Sequence, residues 1–222
     1  MSTLRVSQFS IPQTVSLRER VRQLLLAQIM SGELVPEEVY SVAQLAAGLD
    51  VSPTPIREAV LDLASKDLLV IHKNRGFSVP PTTPEELEEL HKIRLLLEVP
   101  STVEAGLKMS QQEAEQTRVI AESTVEAAQA NDLANYIERD RRFHEAFLLP
   151  LAMPHLTELI MNYRNRARLR GLRAKLGSKE IVTASQDHIA LVDAALAKDE
   201  ALLHKIITNH IEATKSRWAE AG

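Results

Sequence analysis

At 222 residues the chain can bury a sizeable core and hold one large or two smaller domains. Its 45% apolar and 25% charged residues match an ordinary globular protein, and without any cysteine it has neither disulfides nor thiolate metal ligands. The net charge of −4 argues against a large nucleic-acid footprint, and no apolar run reaches the length of roughly 18 residues that a membrane helix needs.

The N-terminal stretch MSTLRVSQFSIPQTV lacks a signal-peptide core, so a cytoplasmic protein is expected. Residues 1–15 read as a flexible arm. From Ser16 the apolar residues Leu17, Val21, Leu24, Leu25 and Ile29 follow helical spacing, and the helix stops near Ser31-Gly32. A short helix covers about Val42–Gly48. A third runs about Pro53–Lys66, with Ser52 as its N-cap and Pro53 at its first position. Leu68–Ile71 and Phe77–Val79 are β-prone runs around the turn His72–Gly76 and read as a hairpin. Residues 16–80 carry this pattern.

The Pro-rich stretch at 81–84 is a short, stiff connector, and the domain boundary falls there. Residues 1–80 carry eight Lys/Arg and eight Asp/Glu, whereas 81–222 carry eighteen and twenty-two. If the first half binds DNA, it must therefore use a local basic surface. Residues 85–222 read as helices throughout: Glu85–Lys108, Gln111–Ala130, Asp132–Leu149, His155–Lys175, Ser178–Ala197 and Glu200–Ala219, with Ser110 and Asn131/Asp132 as caps and Pro100 as a candidate kink. The fold class is mainly α: a winged helix-turn-helix with a small β-hairpin, then an all-α bundle.

Within that bundle Asp140 and His144 stand four apart and share a helix face. His188 and His210 belong to two helices that turn at Ala197-Lys198-Asp199-Glu200. The midpoint of 188 and 210 is 199, so the two imidazoles stand at equal height on the hairpin. Three imidazoles and one carboxylate suit a divalent transition ion, Zn first, with Ni, Mn or Fe also compatible. His72, His91, His155 and His204 read as ordinary core or surface histidines.

Three helices followed by a hairpin would set the third helix in the major groove and the hairpin beside the phosphates. The stretch SVAQLAAGLDVSPTPIREAVLDLASKDLLVIHKNRGFSV resembles the DNA-binding domain of the GntR family of bacterial transcription regulators. The resemblance implies that Arg57 contacts a base or phosphate, that Ser52 and Thr54 reach phosphates, and that Lys73, Asn74, Arg75 and Gly76 form the wing tip. Pro53 stands where members of the family often carry arginine and Ala43 where some do, and Arg18, Arg20 and Arg22 are the candidates to compensate.

The second half, through RLLLE at 94–98, DRRFHEAF at 140–147, DHIALVDAAL at 187–196 and NHI at 209–211, resembles the FCD ligand-binding domain of the FadR-like branch of that family. This resemblance implies six or seven helices around a metal whose coordination a small organic acid completes. Arg94 is the first choice for the cation that holds the acid's other end. Arg164, Arg168 and Arg170 are further candidates, although a solvated face is the simpler reading for most of them.

The expected function is a ligand-responsive, DNA-binding regulator, by default a repressor released by its effector, that meets a two-fold operator as a homodimer. A purely structural metal is the alternative. A metal-dependent hydrolase with Glu145 as base is the weaker one, since a residue next to a ligand points about 100° away.

Overall fold

The computed structural model describes residues 16–168 and 179–219; the expected N-terminal arm, Arg170 and the break at Gly177 lie outside them. Local capping sets most helix ends. In α1 (Leu17–Ser31) the Ser16 hydroxyl accepts from the Glu19 N–H, and Gly32 ends the helix at φ 73°. The short α2 (Val42–Gly48) precedes α3 (Pro53–Ser65). Strand β1 (Val70–His72) pairs antiparallel with β2 (Gly76–Ser78), with Ile71 opposite Phe77.

These strands are offset from the expected β-prone runs. Leu68 and Leu69 are buried as core instead of pairing. The segment before α2 also joins the hairpin, which the sequence had not indicated. Tyr40 and Phe77 exchange backbone hydrogen bonds of 2.7 and 3.0 Å, and Pro36 bridges Val79.

The second half holds α4 (Pro84–Lys108), α5 (Gln111–Gln129), α6 (Leu133–Leu148), α7 (Pro154–Ala167), α8 (Lys179–Leu196) and α9 (Glu200–Ala219). Ser110 forms a capping box with Glu113, and Asp132 caps α6. Helix α4 continues through Pro100, whose ring is exposed. A 3-10 turn at Leu149–Leu151 separates α6 from α7. Helix α5 packs on α6 and α8, and α4 on α9 and α7.

Two apolar cores result. One lies inside the bundle around Val99, Phe143, Phe147, Leu191 and Ile207. The other fills the winged helix with Leu25, Ile56, Leu63 and Phe77, and continues into the bundle through Ala127, Ala128, Tyr136, Ile137 and Ile181. The halves divided at 81–84 thus share one core, in which α1 rests on α6.

Candidate metal centre and nucleic-acid interface

The bundle positions the four expected ligands from three helices. Asp140 and His144 lie one turn apart on α6, His188 is on α8 and His210 on α9. The turn between α8 and α9 is held by the Asp199 N–H bonding the Ala194 carbonyl, with Lys198 left-handed at φ 53°. All four residues are buried. His188 lies flat on Phe143 at a centroid distance of 4.0 Å, which fixes its ring plane.

One nitrogen each from His144, His188 and His210 falls within a span of 4.8 Å. The Asp140 Oδ1 stands 3.9 Å from His144 Nε2 and 3.7 Å from His188 Nε2. An ion bound at about 2.1 Å by each donor sets neighbouring donors about 3–3.5 Å apart, somewhat closer than these.

The stronger test of fit is what these atoms lack. Asp140 Oδ1, His144 Nε2, His188 Nε2 and His210 Nε2 are buried with no hydrogen-bond partner among the described residues. Buried polar atoms are normally paired, because each orphan costs about 1–3 kcal/mol. Four orphans facing one another, three of them imidazole nitrogens, are a set of donors that would suit a borderline divalent ion.

Behind two of them, on Asp140 and His210, the other side-chain atom is engaged, whereas His188 Nδ1 also has no partner among the described residues. The far oxygen of Asp140 accepts from Arg168 Nη2 at 2.6 Å and lies 3.5 Å from Arg164 Nη2. His210 Nδ1 meets Asp187 Oδ2 at 3.1 Å, an arrangement that fixes the tautomer and frees Nε2 to ligate. Burial alone would raise the Asp140 pKa, but Arg168 and Arg164 outweigh it and hold the carboxylate well below its usual range. Burial, reinforced by Arg164, pushes His144 well below the usual imidazole value, and burial does the same to His188. His210 is lowered by burial and partly restored by Asp187.

The unfolded chain binds more protons at these imidazoles than the folded one, so folding stability falls as pH drops below the ordinary value of 6.5. Chelator-treated protein is expected to melt progressively lower from about pH 7.5 to about pH 5, and His144→Leu is expected to flatten that slope in a scanning-calorimetry series.

An alternating chain of buried charges leads away from the centre. Arg94 Nε donates to Glu98 Oε1 at 2.5 Å, and Arg164 Nη1 donates to Glu98 Oε2 at 2.5 Å. Arg94 thus reaches the cluster through Glu98 and Arg164. The solvated-face reading is corrected for Arg164 and Arg168, which are 1% and 6% exposed. They stand four apart in α7 and its C-cap and extend the buried stripe of Ile160 and Met161. That spacing was the available signal; Asp187, also missed, had only its place beside His188. Glu145 pairs with Arg141 at 2.6 Å, which removes the base from the hydrolase reading. Of the other histidines, His91 pairs with Glu212, His72 meets Ser78, and His155 and His204 are exposed.

In the winged helix, Ser52, Thr54, Arg57, Lys73, Asn74 and Arg75 are all exposed. Ser52 has N-cap backbone angles but makes no capping bond. The third helical position is Pro55, which has no N–H to give, so the hydroxyl stays free. A groove of about 400 Å³ runs between α3 and the hairpin, lined by Ala43, Arg57, Leu61, Asn74, Arg75 and Gly76 among others. Arg57, Lys73 and Arg75 make no ion pair among the described residues. Gly76, at φ 128°, lies where a Cβ would strike the Tyr40 carbonyl, so the wing needs glycine there.

Compensation by Arg18 and Arg22 is not what the structure provides. Arg18 pairs with Asp62 at 3.7 Å and Arg22 with Glu19 at 2.5 Å, and both line the cleft toward α6 and α7 instead of the groove. Arg20 is exposed.

Comparison with known proteins agrees with this architecture. The profile of the bacterial regulatory proteins of the gntR family matches residues 17–79, and that of the FCD domain matches residues 89–213. The HTH-type transcriptional regulator McbR of Escherichia coli (strain K12) is 29% identical over 188 residues, covering 84% of this chain and 85% of that protein. BphR of Paraburkholderia xenovorans (strain LB400), an HTH-type transcriptional regulator described as uncharacterized, is 28% identical over 90% of this chain and 84% of its own length. The solved structure of E. coli McbR/YncC superposes with a TM-score of 0.78 at 25% identity, over 93% of this chain and 99% of that one. A winged helix with free cations, joined to an all-helical domain of this type, makes the chain a member of the GntR family with an FCD domain, a DNA-binding transcription regulator.

Proposed function

We propose that this regulator holds a divalent transition ion, zinc first, on Asp140, His144, His188 and His210, and that a small carboxylate completes the ion's coordination as effector. The observation that carries the reading is the set of four buried donors without hydrogen-bond partners among the described residues, backed by Arg168 and Asp187. The ion would supply a Lewis-acidic anchor for one carboxylate oxygen. Arg164, whose Nε and Nη2 lack hydrogen-bond acceptors among the described residues, stands nearer to that anchor than Arg94 and would hold the acid's other end. Binding then alters operator affinity only as far as the acid prefers one arrangement of the winged helices over another.

Thermal-shift titration of zinc-loaded protein against a panel of small organic acids tests this reading. A further rise in melting temperature with some acids, absent in Arg164→Lys, supports it. Indifference to every acid favours a structural metal.

On the DNA side the regulator acts as a homodimer on a two-fold operator and represses until the effector releases it. Arg57→Ala is expected to weaken operator binding by about 5- to 150-fold in fluorescence anisotropy, the worth of one good guanidinium–base contact. Zinc binding by the same variant stays unchanged. A loss smaller than about twofold removes Arg57 from base readout.

A further inference from the structure

The last turn of α7 faces two ways. Arg164 and Arg168 turn inward and share the Asp140 carboxylate. Arg166, between them, turns outward. Its Nη1 donates to Asp67 Oδ2 at 3.2 Å, and its Nη2 donates to Glu86. Asp67 sits just past the C-cap of α3, in a left-handed turn at φ 56° that brings the chain from the recognition helix to the hairpin. Glu86 lies in the first turn of α4, directly after the connector.

One side chain therefore ties together the foot of the recognition helix, the start of the effector domain and the helix end that grips a candidate metal ligand. Helix α6 gives a parallel link: Tyr136 and Ile137 belong to the shared core, one turn before Asp140. The hydrophobic effect that stabilises that core is non-directional. The fork of Arg166, with one acceptor on each half, fixes an orientation.

We propose that Arg166 is the residue that positions the recognition helix relative to the metal cluster and passes the state of Asp140 to the DNA-binding half. The inference rests on the metal reading above. When Asp140 is drawn toward an ion, Arg168 and Arg164 follow it, the last turn of α7 shifts, and Arg166 carries the foot of α3 with it. Arg166 is a positioning residue; the candidate DNA contacts Ser52, Thr54 and Arg57 lie toward the other, N-terminal end of α3.

The test uses the full chain, an operator duplex selected by the wild type from a random-sequence pool, and zinc chloride as the probe. The readout is the ratio of operator affinities in zinc-loaded and chelator-treated protein. The wild-type ratio is expected to differ from unity by about fivefold or more. Arg166→Ala is expected to shrink it by about threefold, in keeping with a part-exposed ion pair, and to leave the zinc dissociation constant within about twofold. Arg166→Glu loses the coupling, and combining it with charge reversal at both of its acceptors, Asp67→Arg and Glu86→Lys, restores at least half of it. A ratio undiminished in Arg166→Ala overturns the proposal, as does a triple variant no better than Arg166→Glu alone. A wild-type ratio of unity in protein that binds zinc overturns it too, while leaving the metal reading intact. Failure to bind zinc removes both.

Discussion

Zinc-loaded protein is expected to melt about 5–10 °C above chelator-treated protein at a free ion concentration about 100 times the dissociation constant. That excess corresponds to about 2.7 kcal/mol of linkage, and each kcal/mol shifts the midpoint of a domain this size by about 2–4 °C. Replacing His188 by Leu should abolish the shift and should also reverse the ranking of the two proteins. Without metal, His188 buries both ring nitrogens with no partner among the described residues, so removing them is neutral or stabilising. With metal, the same change removes a ligand and the stability that ligation contributes. A crossover of the two melting curves between zinc and chelator is the signature. If His188→Leu is destabilising to the same extent in both conditions, the four donors serve packing and not an ion.

The second large effect lies one step from the cluster. Glu98 is 2% exposed, and both of its oxygens are taken by guanidinium groups. Burial by itself would raise its pKa, yet Arg164 and Arg94 bring it down to about 2. Glu98→Ala leaves two buried arginines without this partner. Breaking a buried pair in this way costs about 3–5 kcal/mol, so the midpoint of thermal unfolding should fall by about 6–20 °C. The sign with pH is fixed as well. A depressed carboxylate contributes stability that is complete above the ordinary value of 4.5 and is lost as pH falls toward about 2. The wild type should therefore lose this contribution in acid, and Glu98→Ala should have none to lose. Glu98→Gln, which keeps the volume, separates the charge from the packing. A loss of less than about 1 kcal/mol for the Ala variant would mean that water reaches the two arginines.

Much of this was legible in the chain itself, because the relevant signals are local. Helix ends at Ser16, Ser110, Asp132 and Gly32 follow from capping chemistry that acts within one turn. The pairing of Asp140 with His144 follows from helical period, and that of His188 with His210 from mirror positions on a hairpin whose turn lies at Lys198-Asp199. The free Ser52 hydroxyl could also have been read from Pro55 three residues on, though capping preference by residue type alone pointed the other way.

Other features had no local signal. The segment around Tyr40 joins the wing because Phe77 offers it a backbone edge, which depends on how the chain returns after α3. Leu68 and Leu69 have strand-like character, but the floor beneath α3 needed filling and burial outweighed pairing.

By itself, then, the sequence determined the winged helix, the helical domain behind it and the four residues that meet inside that domain, since periodicity, caps and hairpin symmetry are properties of neighbouring residues. Only the tertiary structure decided which arginine faces which way. Arg164 and Arg168 are buried against Asp140, and Arg166 reaches across to Asp67, because α7 is pinned between the cluster and the foot of α3. It also decided that Asp187 orients His210 and that the two halves share a core. These are contacts between segments far apart in the chain, where charge and spacing name the candidates and packing selects the partners.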